Sequence, residues 1–134
     1  MVKKIAATLL FLSICAVNSW GQKINTAFSI IPLGIKGGDD ESNLSCYMIA
    51  PEGSNNYVCL DAGTINAGIQ KAINRRSLNG TSEEIQRKLI KGYLISHAHL
   101  DHVAGLIINS PADTAKKIYG IPSVLGILSD KYFT

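Results

Sequence analysis

The sequence predicts an α/β protein built as one mixed β-sheet covered by helices. Three short apolar runs separated by turn residues fill positions 27–60, and helical patterns alternate with strand patterns from position 66 onward. Strands first and helix–strand alternation afterwards are the order such a sheet requires. Apolar residues make up 46% and charged residues 17%, which suits a chain that buries a core rather than one that stays disordered. A length of 134 residues leaves room for one modest domain.

Residues 1–21 read as a secretory signal peptide. Lys3-Lys4 form the positive start, Ile5 through Val17 the apolar centre, and Ser19-Trp20-Gly21 places small residues where a signal peptidase reads, so cleavage is expected before Gln22. The apolar run falls short of the roughly 20 residues needed to span a bilayer. Ile14 is too bulky to precede a lipid-modified Cys15. The mature residues 22–134 are therefore expected to be secreted or periplasmic, without a stable membrane anchor. Removing Lys3 and Lys4 leaves 11 Lys and Arg against 10 Asp and Glu. No basic stripe with interleaved aromatics remains, so a nucleic-acid partner has no support.

Ala27–Leu33 reads as a first strand, and the glycine-bearing stretch Gly34–Asp40 as a loop. No helix pattern opens after that loop, so a phosphate-cradling role for it is weakly founded. Leu44–Ala50 is a second strand, Pro51–Asn56 a turn, and Tyr57–Leu60 a third strand closing a hairpin. Cys46 and Cys59 lie in that hairpin and are expected as two buried free thiols. Asp61-Ala62-Gly63 follows, where a carboxylate at a strand end can either point into a site or cap a turn. Asn66–Asn74 predicts a helix with Ile69 and Ile73 four apart. Thr81-Ser82-Glu83-Glu84 is a capping box opening a helix to about Ile90. Lys91–Ile95 is a buried strand and Val103–Ile108 a buried helix. Asp113–Lys117 predicts a helical turn, Ile118–Gly120 a short strand, and Pro122 the start of a helix to about Ser129.

Between the strand at 91–95 and the helix at 103–108 stands Ser96-His97-Ala98-His99-Leu100-Asp101-His102, which holds all three histidines of the protein. A polar, ligand-rich turn between two apolar elements is where a rigid scaffold presents a metal. Alternate side chains of an extended segment share a face. His97, His99 and Asp101 are therefore expected on one side, with His102 approaching from the start of the helix. Nitrogen and carboxylate ligands together favour zinc, with iron or manganese as competitors.

His97-x-His99-x-Asp101-His102 after a strand resembles the metal motif of the metallo-β-lactamase superfamily. The longer run, through Val103-Ala104-Gly105-Leu106 to Ser110-Pro111, is similar to the signature of the class II cyclic-nucleotide phosphodiesterases. The resemblance implies an αβ/βα sandwich, of which residues 22–134 would form about the first half, incomplete at the C-terminus. It implies two divalent metal ions, zinc foremost: His97 and His99 on the first, Asp101 and His102 on the second. Asp101 would also orient the nucleophile, and Asp61 would support the metal loop by hydrogen bonding. The implied activity is hydrolysis of 3′,5′-cAMP, with cGMP beside it, to the 5′-monophosphate. Further ligands would come from later segments, and no histidine follows His102. Two rivals stay open: another hydrolase of the superfamily, and an inactive fragment that folds partly, binds metal weakly and exposes the sheet face and helix stripes meant for its missing half.

Overall fold

The computed structural model describes residues 26–133. The expected leader therefore lies outside the described residues. Five strands form one sheet in the order β1 (Phe28–Gly34), β2 (Cys46–Pro51), β3 (Tyr57–Leu60), β4 (Ile90–Leu94) and β5 (Lys117–Tyr119). The first three pair antiparallel, and β3–β4 and β4–β5 pair parallel. Parallel neighbours need crossovers, and helices supply them. α1 (Asn66–Asn74) and α2 (Ser82–Glu84, continuing as a π-helical turn over Ile85–Leu89) join β3 to β4. α3 (Leu100–Asn109) joins β4 to β5, and α4 (Pro122–Tyr132) follows β5. Both crossovers step the same way along the sheet, and right-handed connections then put their helices on the same face.

That face is the core. Ile31, Leu33, Cys46, Met48, Ala50, Tyr57, Cys59 and Tyr93 from the strands join Ile69, Ile85, Val103, Leu106, Val124 and Leu128 from the helices in one buried cluster. Cys46 and Cys59 are both buried free thiols. The hydrogen bond with Cys59 and burial together push the Cys46 thiol well above its ordinary range. Burial and the nearby Asp113 carboxylate push the Tyr93 phenol up as well.

The other face of the sheet is apolar too. Phe28, Ile30 and Pro32 on β1 pair with Pro51, Ile49 and Tyr47 on β2, and Ile49 and Tyr47 pair with Val58 and Leu60 on β3. Leu60 pairs with Leu94, and Leu94 with Tyr119. All of these are exposed or half-exposed. Among the described residues no helix is long and apolar enough to cross a membrane.

Two expectations need correction, while the helix opened by the Thr81 capping box ends at Leu89, at about the expected place. Ile90 is β-branched, buried and paired with Tyr57, so the sheet claims it. No helical turn spans Asp113–Lys117. The turn is 3₁₀ and lies at Ser110–Ala112, where Pro111 suits a helix start. Asp113 is extended because its carboxylate is held by Tyr93 Oη at 3.1 Å and Lys116 Nζ at 2.6 Å. Last, the helix after the histidine loop begins at Leu100, so Asp101 is helical and extended alternation stops at His99.

Candidate metal centre

The site is built at the carboxyl ends of β3 and β4. Their parallel register sets Leu60 opposite Leu94, so the residues that follow each strand emerge side by side. Asp61 donates its backbone N–H to the Leu94 carbonyl at 2.9 Å, extending the ladder by one rung. Its φ of 56° is left-handed, a conformation aspartate tolerates better than most residues. The kink turns the Asp61 carboxylate toward the loop after β4. There Oδ1 accepts the Ser96 amide at 2.9 Å, and Oδ2 accepts the Ser96 hydroxyl at 3.1 Å and the Ser45 hydroxyl at 3.4 Å. His102 Nδ1 lies 2.7 Å from the same Oδ2. Burial pushes the Asp61 carboxyl up, but the hydrogen bonds from Ser96 and His102 outweigh it and hold it below its ordinary value.

The helix that carries Asp101 and His102 is fixed through the same loop. Ala62 donates to the His102 carbonyl at 2.7 Å, while Gly105 and Leu106 donate to the Gly63 and Ala62 carbonyls at 2.8 and 3.1 Å. Backbones this close exclude side chains. A Cβ on Gly63 would strike the Asp101 carbonyl, and one on Gly105 would stand 2.8 Å from the Ala62 and Gly63 carbonyls. The Asp-x-Gly element thus grips the first turn of α3 from below.

His97, Asp101 and His102 offer ligand atoms within 4.8 Å of one another, all half-buried. His99, which precedes the first helical residue, is outside that group of three, although its ring lies edge-on to His97 with centroids 4.7 Å apart. The expected sharing of a face by His97, His99 and Asp101 is therefore replaced by a grouping in which His102 joins His97, their ring centroids 3.8 Å apart. The Gly37 backbone approaches from the β1–β2 loop, where a Cβ would stand 3.6 Å from Asp101 Oδ2. The supporting roles of Ser45 and Ser96 escape a sequence reading. A hydroxyl residue directly before the first histidine was the available signal.

The arrangement fits a cation. His102 Nδ1 faces the acceptor oxygen of Asp61, so that nitrogen carries the hydrogen. Its Nε2 then turns a lone pair toward Asp101 Oδ2 at 3.3 Å. Two electron-pair donors face each other there, and a positive charge between them resolves the repulsion. A proton would serve; so would a divalent metal drawing on the same nitrogen-and-carboxylate set.

Comparison with known proteins agrees with this geometry. Residues 75–134 match the family model described as cAMP phosphodiesterases class-II. A Yersinia pestis protein named "Probable 3′,5′-cyclic-nucleotide phosphodiesterase" is 36% identical over 141 aligned residues, which cover 97% of this chain and 41% of that protein. The crystal structure of unliganded yeast PDE1 superposes with a TM-score of 0.67 at 20% identity, covering 81% of this chain and 45% of that one. The metallo-β-lactamase fold protein YhfI from Bacillus subtilis superposes at 0.53 and 20% identity, covering 80% and 42%. The fold is therefore that of the metallo-β-lactamases. The chain spans about two fifths of the length of the Yersinia relative.

Proposed function

The chain belongs to the class II cyclic-nucleotide phosphodiesterase family, and on that premise we propose that its metal loop serves the hydrolysis of a 3′,5′-cyclic nucleotide, cAMP with cGMP beside it, to the nucleoside 5′-monophosphate. The observation that carries the proposal is the convergence of His97, Asp101 and His102 within 4.8 Å at the ends of two parallel strands. His97 and His99 are assigned to one divalent ion and Asp101 and His102 to a second, with zinc the first expectation for such ligands. Bound there, the ions would acidify a water and offset charge growing on the phosphoryl oxygens.

The chain's own residues do the positioning. Asp61 holds His102 from behind, and the Asp-x-Gly loop fixes the first turn of α3, so Asp101 meets the site at a set angle. Asp101 is assigned to orient the attacking water. The water oxygen bonds to phosphorus, the bond from phosphorus to the 3′ oxygen breaks, and that oxygen leaves with a proton. The four residues give each ion two protein ligands, and catalytic zinc normally takes three. Turnover is therefore proposed of a protein in which further ligands complete the site.

The test is hydrolysis of cAMP and cGMP by the metal-loaded protein expressed from its own gene. We expect 5′-monophosphate, loss of activity on chelation, and lower metal content in His97→Ala and His99→Ala. Absence of turnover of either nucleotide by metal-loaded protein would overturn the assignment. The Lys3-Lys4 start and the apolar run after it further support export with removal of residues 1–21. N-terminal sequencing of protein recovered from periplasm or medium should begin at or near Gln22, and an intact Met1 would refute this.

A further inference from the structure

Ser96 touches three groups at once. Its hydroxyl donates to Asp61 Oδ2 at 3.1 Å, and the same oxygen lies 3.0 Å from His97 Nδ1 and 3.4 Å from His102 Nδ1. A serine hydroxyl has one hydrogen to give and two lone pairs to accept with. An ionised carboxylate only accepts. The Asp61 carboxylate also takes the Ser96 amide and the Ser45 hydroxyl. With the Ser96 hydrogen committed to Asp61, only lone pairs remain at Oγ. His97 Nδ1 must therefore supply the hydrogen of its own 3.0 Å contact. At His102 the same reasoning needs no intermediary, because Nδ1 faces the carboxylate at 2.7 Å.

We propose that Ser96 relays the Asp61 carboxylate to His97, so that one buried carboxylate fixes the Nδ1–H tautomer of two histidines and leaves both Nε2 atoms as electron-pair donors, each for its own divalent cation. The use of those Nε2 atoms as metal ligands rests on the reading given above; the tautomers do not. Which ring nitrogen carries the hydrogen is set by the bond the other atom makes. Free neutral imidazole side chains in water favour the opposite, Nε2–H, form. Without the relay His97 would present a hydrogen where the cation needs a lone pair. Ser96 is thus a positioning residue: it acts on the metal only through a histidine.

The register makes the relay possible. Leu60 opposite Leu94 sets Asp61 beside the start of the loop, and the left-handed turn at Asp61 brings its carboxylate under the Ser96 amide. That amide bond to Oδ1 fixes Ser96 independently of its hydroxyl. Replacing the hydroxyl therefore removes the relay and keeps the loop's anchor.

The test is ¹⁵N NMR of the histidine ring nitrogens in the uniformly labelled 134-residue chain, stripped of metal, at about pH 8.5, above the ordinary histidine value of about 6.5. His97 and His102 should both show the Nδ1–H pattern in the unsubstituted protein, a reading that needs no variant. Ser96→Ala should move His97 toward Nε2–H and leave His102 unchanged. Asp61→Asn should disturb both, and Ser96→Thr should restore His97. Zinc affinity, read by competition with a chromophoric chelator, should fall about 10–100-fold in Ser96→Ala, as it does when groups behind metal ligands are removed, and recover in Ser96→Thr. An Nε2–H tautomer at His97 in the unsubstituted protein, or a His97 tautomer indifferent to Ser96→Ala, overturns the relay. A His97 tautomer that responds to Ser96→Ala while zinc affinity does not change overturns the use of the His97 Nε2 as the zinc-facing atom.

Discussion

Gly63 sits where the strand β3 ends and the helix α3 begins to be gripped, and there is no space beside it. A Cβ would strike the Asp101 carbonyl and stand 2.6 Å from Leu44 Cβ. The obstacle is backbone on one side and the root of a side chain on the other, so neither can swing away. Gly63→Ala must push α3 outward or distort the loop that carries Asp61. Overpacking of this kind costs about 1–3 kcal/mol. The displaced first turn carries Asp101 and His102, so zinc affinity should fall along with the urea midpoint. A Gly63→Ala protein with unchanged midpoint and affinity would show that the loop does not position the helix. At this scale the sequence was legible where chemistry is concentrated: three histidines and an aspartate in seven residues point to a metal, and Asp61 before a glycine offers either a support for that loop or a turn cap. The grouping was not legible, because His102 joins His97 and Asp101, while His99 stays beside His97 but outside their group of three, only once the chain turns helical at Leu100. The steric role of Gly63 was hidden for the same reason. It depends on a partner 38 residues away whose position is set by strand register.

Among the elements, the segment after α3 is where local pattern and outcome diverge most. Lys116 and Asp113 form an ion pair at 2.6 Å with side chains only 5% and 7% exposed, and Tyr93 from the middle of β4 donates to the second oxygen of the Asp113 carboxylate at 3.1 Å. Lys116 Nζ also donates to Thr114 Oγ1 at 2.7 Å. These bonds pull Asp113 out of the helical turn its neighbours suggest and pin the approach to β5 against β4. Nothing in the spacing of residues 113–117 reveals a tyrosine 20 positions upstream, so the sequence alone favours the wrong conformation there. Long apolar elements with local signals fared better: the third strand, the helix over Asn66–Asn74 and the Thr81 capping box form as their residues predict. The ion pair is a place where removing one partner hurts more than removing both. Lys116→Met strands the Asp113 carboxylate in the core, and breaking a buried pair in this way costs about 3–5 kcal/mol. The double variant Asp113→Leu/Lys116→Met removes the charge that was stranded. Urea denaturation of the unsubstituted protein and these two variants should show the single variant well below the double one. Equal losses would mean that water reaches Asp113 and that the pair is not a buried anchor.

For the whole molecule the two faces of the sheet behave differently, and composition alone conceals this. Alternation along the strands predicts that one set of side chains faces the helices, and Ile31, Leu33, Met48 and Cys59 do so. A strand with a solvated outer face would carry polar residues at the alternate positions. Here those positions are Phe28, Ile30 and Pro32 on β1, Tyr47 and Ile49 on β2, and Val58 and Leu60 on β3, and the row continues through Leu94 to Tyr119 on β5. Phe28 and Ile30 are each 58% exposed, and Leu94 and Tyr119 close to half. A contiguous apolar patch that crosses five strands exceeds what soluble monomers ordinarily leave in water. The chain of 134 residues on its own should therefore associate through this face. Sedimentation velocity should show the weight-average mass rising with concentration, and an environment-sensitive apolar dye should bind the dilute protein. Ile30 pairs with Ile49 near the centre of the β1–β2 ladder, and its side chain makes no part of the metal loop. Ile30→Lys, joined with Tyr119→Lys on the far strand, should suppress both effects while leaving zinc affinity unchanged, since the metal loop is anchored by Asp61 and the α3 backbone. A doubly substituted protein that associates and binds dye as before would place the contact elsewhere, on the exposed apolar residues of α3 and α4 such as Ile108 and Ile127.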